Sequence, residues 1–327
     1  MTRRLAYAFA SSLLLAAGSA VAQSARPAAD YPARVVRWVV PYPPGASNDV
    51  VARVLAQKLT QAWGQQVVID NRSGAGGLIG ADIVAKATPD GYTMLLTNPG
   101  SNAINFALRA KAPYTPADFA EVILLGWSPI MLVTGATFPA NGVKDVIAMA
   151  KAKPGQLSGG SSGTGGSSHL ALELFKMLAG VDILHVAYKG AAPAITDVIG
   201  GQVSIIFTTP VTAQPLIQAG KLKTIAVAGS KRLLIYPDVA TTAEQGLAGY
   251  DVMIWFGASV PAKTPRAVVL KLNRELQQTL QAPDVKERFA ALGLEPEGGG
   301  PERFTALIRE DIERWRKVVK AANLRTD

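Results

Sequence analysis

From residue 35 onward the chain repeats one unit: a short apolar strand, a turn marked by Gly or Pro, and a stretch with helical spacing of apolar residues. Alternation of this kind is the signature of βαβ crossovers and confines the chain to α/β folds with a parallel sheet. A strand over 35–40 leads to a helix over 48–63, with Val50, Val51, Val54, Leu55, Leu59 and Trp63 on its apolar side and Gly64 as its stop. A strand over 67–70, a helix through Leu78, Ile79, Ile83 and Val84, and a strand over 92–96 follow. A second unit begins near Pro129, with strands expected at 130–134, 156–159, 183–188, 203–208 and 224–228 and helices at 143–152, 168–178, 191–199 and 211–219. A strand over 251–260 and helices near 265–280, 284–292 and 301–321 are expected to return to the first unit. Residues 31–127 with 229–327 would then form one lobe, and 128–228 the other.

The ends and the composition narrow the class. Arg3 and Arg4, an apolar stretch over 5–18 and Ala20-Val21-Ala22 fit a secretory signal segment with an A-x-A cleavage site, so residues 1–22 are expected to be removed, with 25–29 a short flexible lead. The Arg3-Arg4 pair also admits the twin-arginine route, which Leu5-Ala6 does not strengthen. The chain has no cysteine, which excludes disulfides, thiolate metal sites and a thiol nucleophile. The remaining ~300 residues are enough for two ordinary domains without such staples. Leaving out Arg3 and Arg4, 31 basic residues stand against 24 acidic, a net +7. They are scattered along helices (Arg303, Arg309, Arg314, Arg316, Lys317, Lys320) beside acidic neighbours. A nucleic-acid partner needs a concentrated basic patch with aromatics, so none is expected. A mild bias toward anionic ligands is what the charge supports.

Two uncharged glycine-rich loops follow strands and open helices. The first runs Pro41, Tyr42, Pro43, Pro44, Gly45, Ala46, Ser47, Asn48, Asp49. The second spans 158–169 and contains Ser161, Ser162, Gly163, Thr164, Gly165, Gly166, Ser167, Ser168 and His169. A helix start leaves backbone N–H groups without partners and carries partial positive charge, so it attracts an anion without Lys or Arg. A third segment, Thr97-Asn98-Pro99-Gly100-Ser101-Asn102, ends a strand, and in open α/β sheets ligands sit at such carboxyl ends. Either loop alone could be a plain helix N-cap. Two of them in separate units, with a third nearby, favour one anion held between them by N–H groups and the hydroxyls of Ser47, Ser161, Ser162, Thr164, Ser167 and Ser168. Neutral donors also suit a ligand that must be released, because no buried salt bridge has to be broken.

Rival motifs are weaker. Gly74 to Gly80 follows a strand like a dinucleotide loop, but reads G-x-G-x-x-x-G, and the next strand ends in Asn98 where a ribose-binding acid is wanted. A tight turn with close backbone packing is the preferred reading, and a dehydrogenase would need a bound cofactor. Gly159-Gly160-Ser161-Ser162-Gly163 matches the G-x-S-x-G nucleophile elbow in the right strand–turn–helix context, which makes a secreted esterase using Ser161 the main enzyme alternative. Its base would have to be His169 or His185, the two histidines of the chain, and neither spacing suits an ordinary triad. His185 reads as a satisfied core histidine. The loop lacks the Lys of a P-loop, two histidines do not make a metal site, and no cofactor is expected.

Taken together, YPARVVRWVVPYPPGASND, VVIDNRSGAGGLIGADIVAKATPDGYTMLL, GSSGTGGSSHLALELF, HVAYKGAAPAITDVIGGQVSIIF, AGKLKTIAVAGSKR, PDVATTAEQGLAGYDVMIWFG and PAKTP resemble the Bug-type solute receptors of tripartite tricarboxylate transporters, over nearly all of the chain past residue 22. The resemblance implies a two-lobe periplasmic-binding-protein fold of type II kind, each lobe a mainly parallel sheet flanked by helices, with a hinge of two crossings. It implies a periplasmic protein, expected as a monomer, that presents a small organic carboxylate to membrane permease subunits and catalyses nothing; a sensor for a signalling partner would share the same binding. Carried over, the carboxylate is held by the first loop, Tyr42 to Asn48, and by Ser161 to His169. The family usually has a second glycine at Ala46, whose methyl is expected to narrow the site here, and commonly an Asp at the position of Thr208 or Thr209. If that position faces the cleft, selection for an ammonium group is weak. Trp255 and Tyr188 are either pocket or core residues.

Overall fold

The structure, a computed structural model, describes residues 30–229 and 231–324; the expected signal segment 1–22 and lead 25–29 lie outside the described residues. In chain order the first lobe opens with β1 (Val36–Val40), α1 (Ser47–Trp63), β2 (Val67–Asn71), α2 (Leu78–Ala85), β3 (Thr93–Thr97), α3 (Asn105–Leu108) and β4 (Phe119–Pro129). The second follows as β5 (Met131–Gly135), α4 (Val143–Ala152), β6 (Ser158–Ser161), α5 (Ser167–Ala179), β7 (Leu184–Ala187), α6 (Ala191–Ile199), β8 (Ile205–Thr208), α7 (Pro210–Gln218) and β9 (Leu222–Val227). The chain then returns to the first sheet with β10 (Met253–Pro261), α8 (Arg266–Gln281), α9 (Pro283–Ala291), β11 (Glu295–Pro296) and α10 (Pro301–Ala321).

The strand orders are β11-β4-β10-β3-β1-β2 and β7-β6-β8-β5-β9. Parallel pairing covers one side of each sheet: β1 with β2 and β3, and β6 with β7 and β8. The other side is antiparallel, through β10 and β4 in one sheet and β5 in the other. Each sheet buries its own apolar cluster, around Val39, Val84, Leu95 and Phe119 in one lobe and Met131, Val133, Val198 and Ile206 in the other. Helix α1 turns Val51, Leu55 and Leu59 inward and ends at Gly64, whose φ of 62° suits glycine at a helix C-terminus.

One residue, Ile130, separates β4 from β5, so the chain passes from sheet to sheet there. Its N–H donates to Val252 O at 3.1 Å, and its carbonyl accepts from Ala228 N at 2.7 Å. Outgoing and returning chain are thereby hydrogen-bonded side by side, which is the geometry of a two-crossing hinge. The largest element without a counterpart among the expected strands is β4; it pairs with β10 through two register shifts, which break its alternation. The segment after β3 continues into a π-helical turn over Gly100–Ile104 instead of remaining a loop.

Candidate functional site

The first glycine-rich loop leaves β1 and enters α1 with Ala46 as an extended cap, φ −69° and ψ 159°. A buried carboxylate holds it. Asp49 Oδ2 accepts from Gly45 N and from Arg53 Nε, each at 2.9 Å, and Oδ1 accepts from Asn71 Nδ2 at 3.0 Å. Burial alone would raise the Asp49 pKa, but the bonds from Arg53, Gly45 and Asn71 outweigh it and hold the carboxyl below its usual range. Beside it, the Tyr42 hydroxyl donates to Gly76 O at 3.0 Å. Burial pushes Tyr42 up to about 12, so it stays a donor. Asn98, at the end of β3, donates Nδ2 to Asn48 Oδ1 at 3.3 Å, and its own Oδ1 accepts from Ser101 N at 3.0 Å.

The second loop is held by neutral groups. Ser161 Oγ lies 2.6 Å from His185 Nε2 and accepts from Gly163 N at 3.2 Å. Ser168 Oγ accepts from Ser162 N at 2.8 Å, and His169 Nδ1 accepts from Gly165 N at 3.2 Å. The two imidazoles stack with centroids 4.0 Å apart. Burial, then the charge of Lys176, lowers His185 to about 4; burial, then His185 and Lys176, lowers His169 to about 3. Both rings are therefore neutral at neutral pH, and the approach of His169 Nε2 to Glu173 is not an ion pair. The sequence spacing that set His185 apart from Ser161 misleads, because β6 and β7 are parallel neighbours and bring the two side chains together.

The loops meet at a cavity of about 50 Å³, more than the roughly 30 Å³ share of one liquid water. Four helix starts open onto it: Ala46, Ser47 and Asn48 of α1, Ser167 and Ser168 of α5, Ala191 of α6, and Thr209 and Thr212 of α7. Tyr42, Asn98, Ser162 and Thr208 add polar wall, and Ile130, Phe207 and Ile254 apolar wall. No charged side chain lines it among the described residues. The field inside is that of helix N-termini, positive without a cationic side chain. Two buried groups at this wall have no hydrogen-bond partner: Asn48 Nδ2 and Ser167 Oγ, one from each lobe. An orphaned donor away from water is costly, and a carboxylate oxygen would satisfy it.

Of the residues expected here, Tyr42, Ala46, Ser47, Asn48, Asn98, Ser162, Ser167, Ser168 and Thr208 reach the cavity wall. The others stand behind or beside it. Pro44 and Gly45 are exposed at the tip of the first loop, and Pro43 approaches Gly190. Ser101 supports Asn98, while Ser161, Gly163, Thr164, Gly165, Gly166 and His169 form the body of the second loop. Trp255 is a core residue donating to Asp311 at 2.8 Å, and the Tyr188 hydroxyl donates to Asp197 at 2.6 Å. Thr209, raised with Thr208 as a position that could face the cleft, does line it. Sequence reasoning missed Ala191 and Thr212, although Gly190 before α6 and Pro210 at the first position of α7 are helix-start signals. A roomier groove of about 470 Å³ lies between β4 and α10, with Glu121 on its wall. Among the described residues no helix start faces it except the short turn at Pro116, and size alone does not make it the site.

Two sheet-and-helix lobes joined by adjacent crossings, with helix starts lining the cleft, define a solute-binding protein of the periplasmic-binding-protein fold. The chain belongs to the tripartite tricarboxylate transporter receptor family, whose model matches residues 51–324. It is 37% identical over 292 residues to the protein BugT of Bordetella pertussis, covering 89% of this chain and 90% of BugT. Among solved structures it is similar to R. palustris Rpa4515 with adipate, at TM-score 0.88 and 37% identity over 90% of this chain and 99% of the other. It is also similar to MatC (Rpa3494) from Rhodopseudomonas palustris with bound malate, at TM-score 0.84 and 34% identity over 88% and 100% of the two chains.

Proposed function

We propose that this protein is an exported periplasmic receptor, residues 1–22 being removed, which captures a small organic carboxylate between its lobes and presents it to the permease of a tripartite tricarboxylate-type transporter. The observation that carries the reading is the convergence of four helix N-termini on one neutral cavity, with a buried orphan donor from each lobe. The adipate and malate of the two similar structures are both carboxylates, which supports the ligand class. Thr208 lies on the cavity wall as a neutral group, so the ligand needs no amino group. We take the lobes as 31–127 with 229–327, and 128–228; the outgoing crossing at Ile130 supports the first bound, while the packing of Leu233, Ile235 and Val239 on the second lobe's core favours a return nearer Val252. Ligand bridging α1 and α5 shifts an open–closed equilibrium toward closed, and the closed monomer docks on the permease.

Ser161 is the one specific observation favouring an esterase, since His185 is within hydrogen-bond reach. Three facts favour a brace instead. Ser161 has no exposed surface, its oxygen already accepts from Gly163 N, and a histidine lowered to about 4 is a weak base. The test is a thermal shift of the chain lacking residues 1–22 against malate, adipate and other organic acids, each with its amide and amino analogue. A ligand that binds only the fold stabilises it by about 2.7 kcal/mol at a hundredfold excess over Kd. A selective shift for one acid, lost in its amide, is expected. A flat response from protein shown to carry no retained ligand would overturn the reading and turn attention to ester hydrolysis by Ser161.

A further inference from the structure

Several glycines with positive φ do no more than turn the chain. Gly64 (φ 62°) and Gly180 (φ 60°) end helices, and a methyl added to either would meet nothing within 4 Å. Others differ by facing the opposite lobe, Gly76, Gly190 and Gly293 among them. A methyl on Gly76 would lie 2.7 Å from Gly165 C, 2.8 Å from Gly166 N and 2.8 Å from Thr164 O, all backbone atoms that cannot swing aside. A methyl on Gly190 would lie 2.4 Å from Cγ of the Pro43 ring, and one on Gly293 would lie 2.8 Å from Ile235 Cδ1 and 3.1 Å from Pro210 Cβ. Gly76 is also fixed from its own side, since its carbonyl accepts from Tyr42 at 3.0 Å and from Asn105 Nδ2 at 3.3 Å.

These contacts border the cavity. Gly166 precedes Ser167, Gly190 precedes Ala191, Pro43 follows Tyr42, and Pro210 follows Thr209. With the lobes in close contact at these points, the space between the helix starts is about 50 Å³. We propose that Gly76, Gly190 and Gly293 are the stops on which the two lobes close, so that backbone contact at Gly76, flanked by side-chain contact at Gly190 and Gly293, and not the cavity wall, sets the depth of closure. This rests on the reading that the lobes open and close around a ligand. A side chain at Gly76 would wedge the closed form while leaving the open form intact, because each lobe retains its own sheet and core.

The absence of cysteine makes a direct test possible. In the Pro43→Cys, Gly190→Cys chain the two Cβ atoms would stand 3.6 Å apart, within the disulfide range of roughly 3.5–4.5 Å. The rate of disulfide formation under a fixed oxidant, without ligand, counts visits to the closed form. Adding Gly76→Ala is expected to slow it about tenfold, whereas Gly64→Ala, with nearly the same φ and open space around it, leaves it unchanged. Equal rates for the two, or a folded cysteine pair that stays reduced, would overturn the proposal. Should the cysteine pair not fold, small-angle scattering of Gly76→Ala against Gly64→Ala decides: a larger radius of gyration for Gly76→Ala is expected, and equal radii sink the proposal. Neither measurement contains a ligand, so failure to find a carboxylate and failure of the stops are separate results.

Discussion

The two loops that face each other across the cavity reach one backbone geometry by different means. Ala46 caps α1 at φ −69°, ψ 159°, and Gly166 caps α5 at φ −79°, ψ 162°. Behind the first stands a buried carboxylate with Arg53 and Asn71; behind the second stand a serine, a serine pair and two neutral imidazoles. The cavity presents similar surfaces on both sides, extended caps leading into helix starts that carry hydroxyls. Recognition of an anion by helix ends therefore does not dictate how those ends are held. The scaffold behind each loop instead sets its response to mutation and to acid.

The charged scaffold is the more costly one to break. Asp49→Ala strips Gly45 N–H, Arg53 and Asn71 of their common acceptor and is expected to cost about 3 kcal/mol, since hydrogen bonds to a charged group are the strong ones. The change would appear as a lower urea midpoint at unchanged slope. A loss under about 1 kcal/mol, the value of one ordinary hydrogen bond, would show that charge does not hold this loop. On the neutral side, His185→Ala leaves the Ser161 hydroxyl short of its partner and removes the ring stacked on His169. About 2 kcal/mol is expected for that orphaned group. Adding Ser161→Ala should recover ~1 kcal/mol as a coupling term between the contacting pair. Strict additivity would mean that the 2.6 Å contact contributes nothing.

Acid should separate the scaffolds further. An unfolded histidine takes up its proton near pH 6.5, whereas in the fold His185 holds out to about 4 and His169 to about 3. Below pH 6.5 the unfolded chain thus binds more protons than the fold, and stability falls with pH by about 1 kcal/mol per unit for each ring. Asp49 acts lower on the scale: its contribution is complete above its ordinary 3.8 and is lost only as pH falls through its depressed value. Glu121 opposes the histidines, because burial raises it to about 7 from 4.5, and the stability it contributes is lost as pH rises through 7. Comparison of variants is therefore decisive. His169→Gln with His185→Gln should flatten the fall between pH 6.5 and 4 in denaturant titrations, and Glu121→Gln should steepen it. Unchanged slopes in the histidine variant would mean that the rings are not kept neutral by the fold.

Much of this was visible in the chain, and what was hidden had a physical reason. Helices α4 and α6 fall where apolar spacing puts them, at Val143–Ala152 and Ala191–Ile199, because nothing in their environment competes with the pattern. Strand β6 lies two residues past its expected place, since Ser-Gly-Gly-Ser offers no side-chain alternation to read. The helix starts of α1 and α5 announce themselves through Gly and Ser, but those of α6 and α7 reach the cavity only because the five-stranded sheet sets their strands beside β6. Pairing of β6 with β7 likewise decides the Ser161–His185 contact, and register between distant segments is not written in local pattern.

The smallest effect on the fold should come from the atom closest to the proposed ligand. Ser167 Oγ is buried and has no partner, so Ser167→Ala removes a group that the ligand-free fold does not use. Its stability should stay within about 0.5 kcal/mol of the parent, and could rise, because an unsatisfied polar atom is replaced by an apolar one. Binding should move the other way, with affinity for any acid that stabilises the parent falling ~10-fold, the value of one hydrogen bond to a charged oxygen. Titration calorimetry of the parent and variant with that acid checks it. A variant that lost stability but kept affinity would place Ser167 with the scaffold residues behind the loop and leave the first loop, through Asn48, as the ligand's main contact.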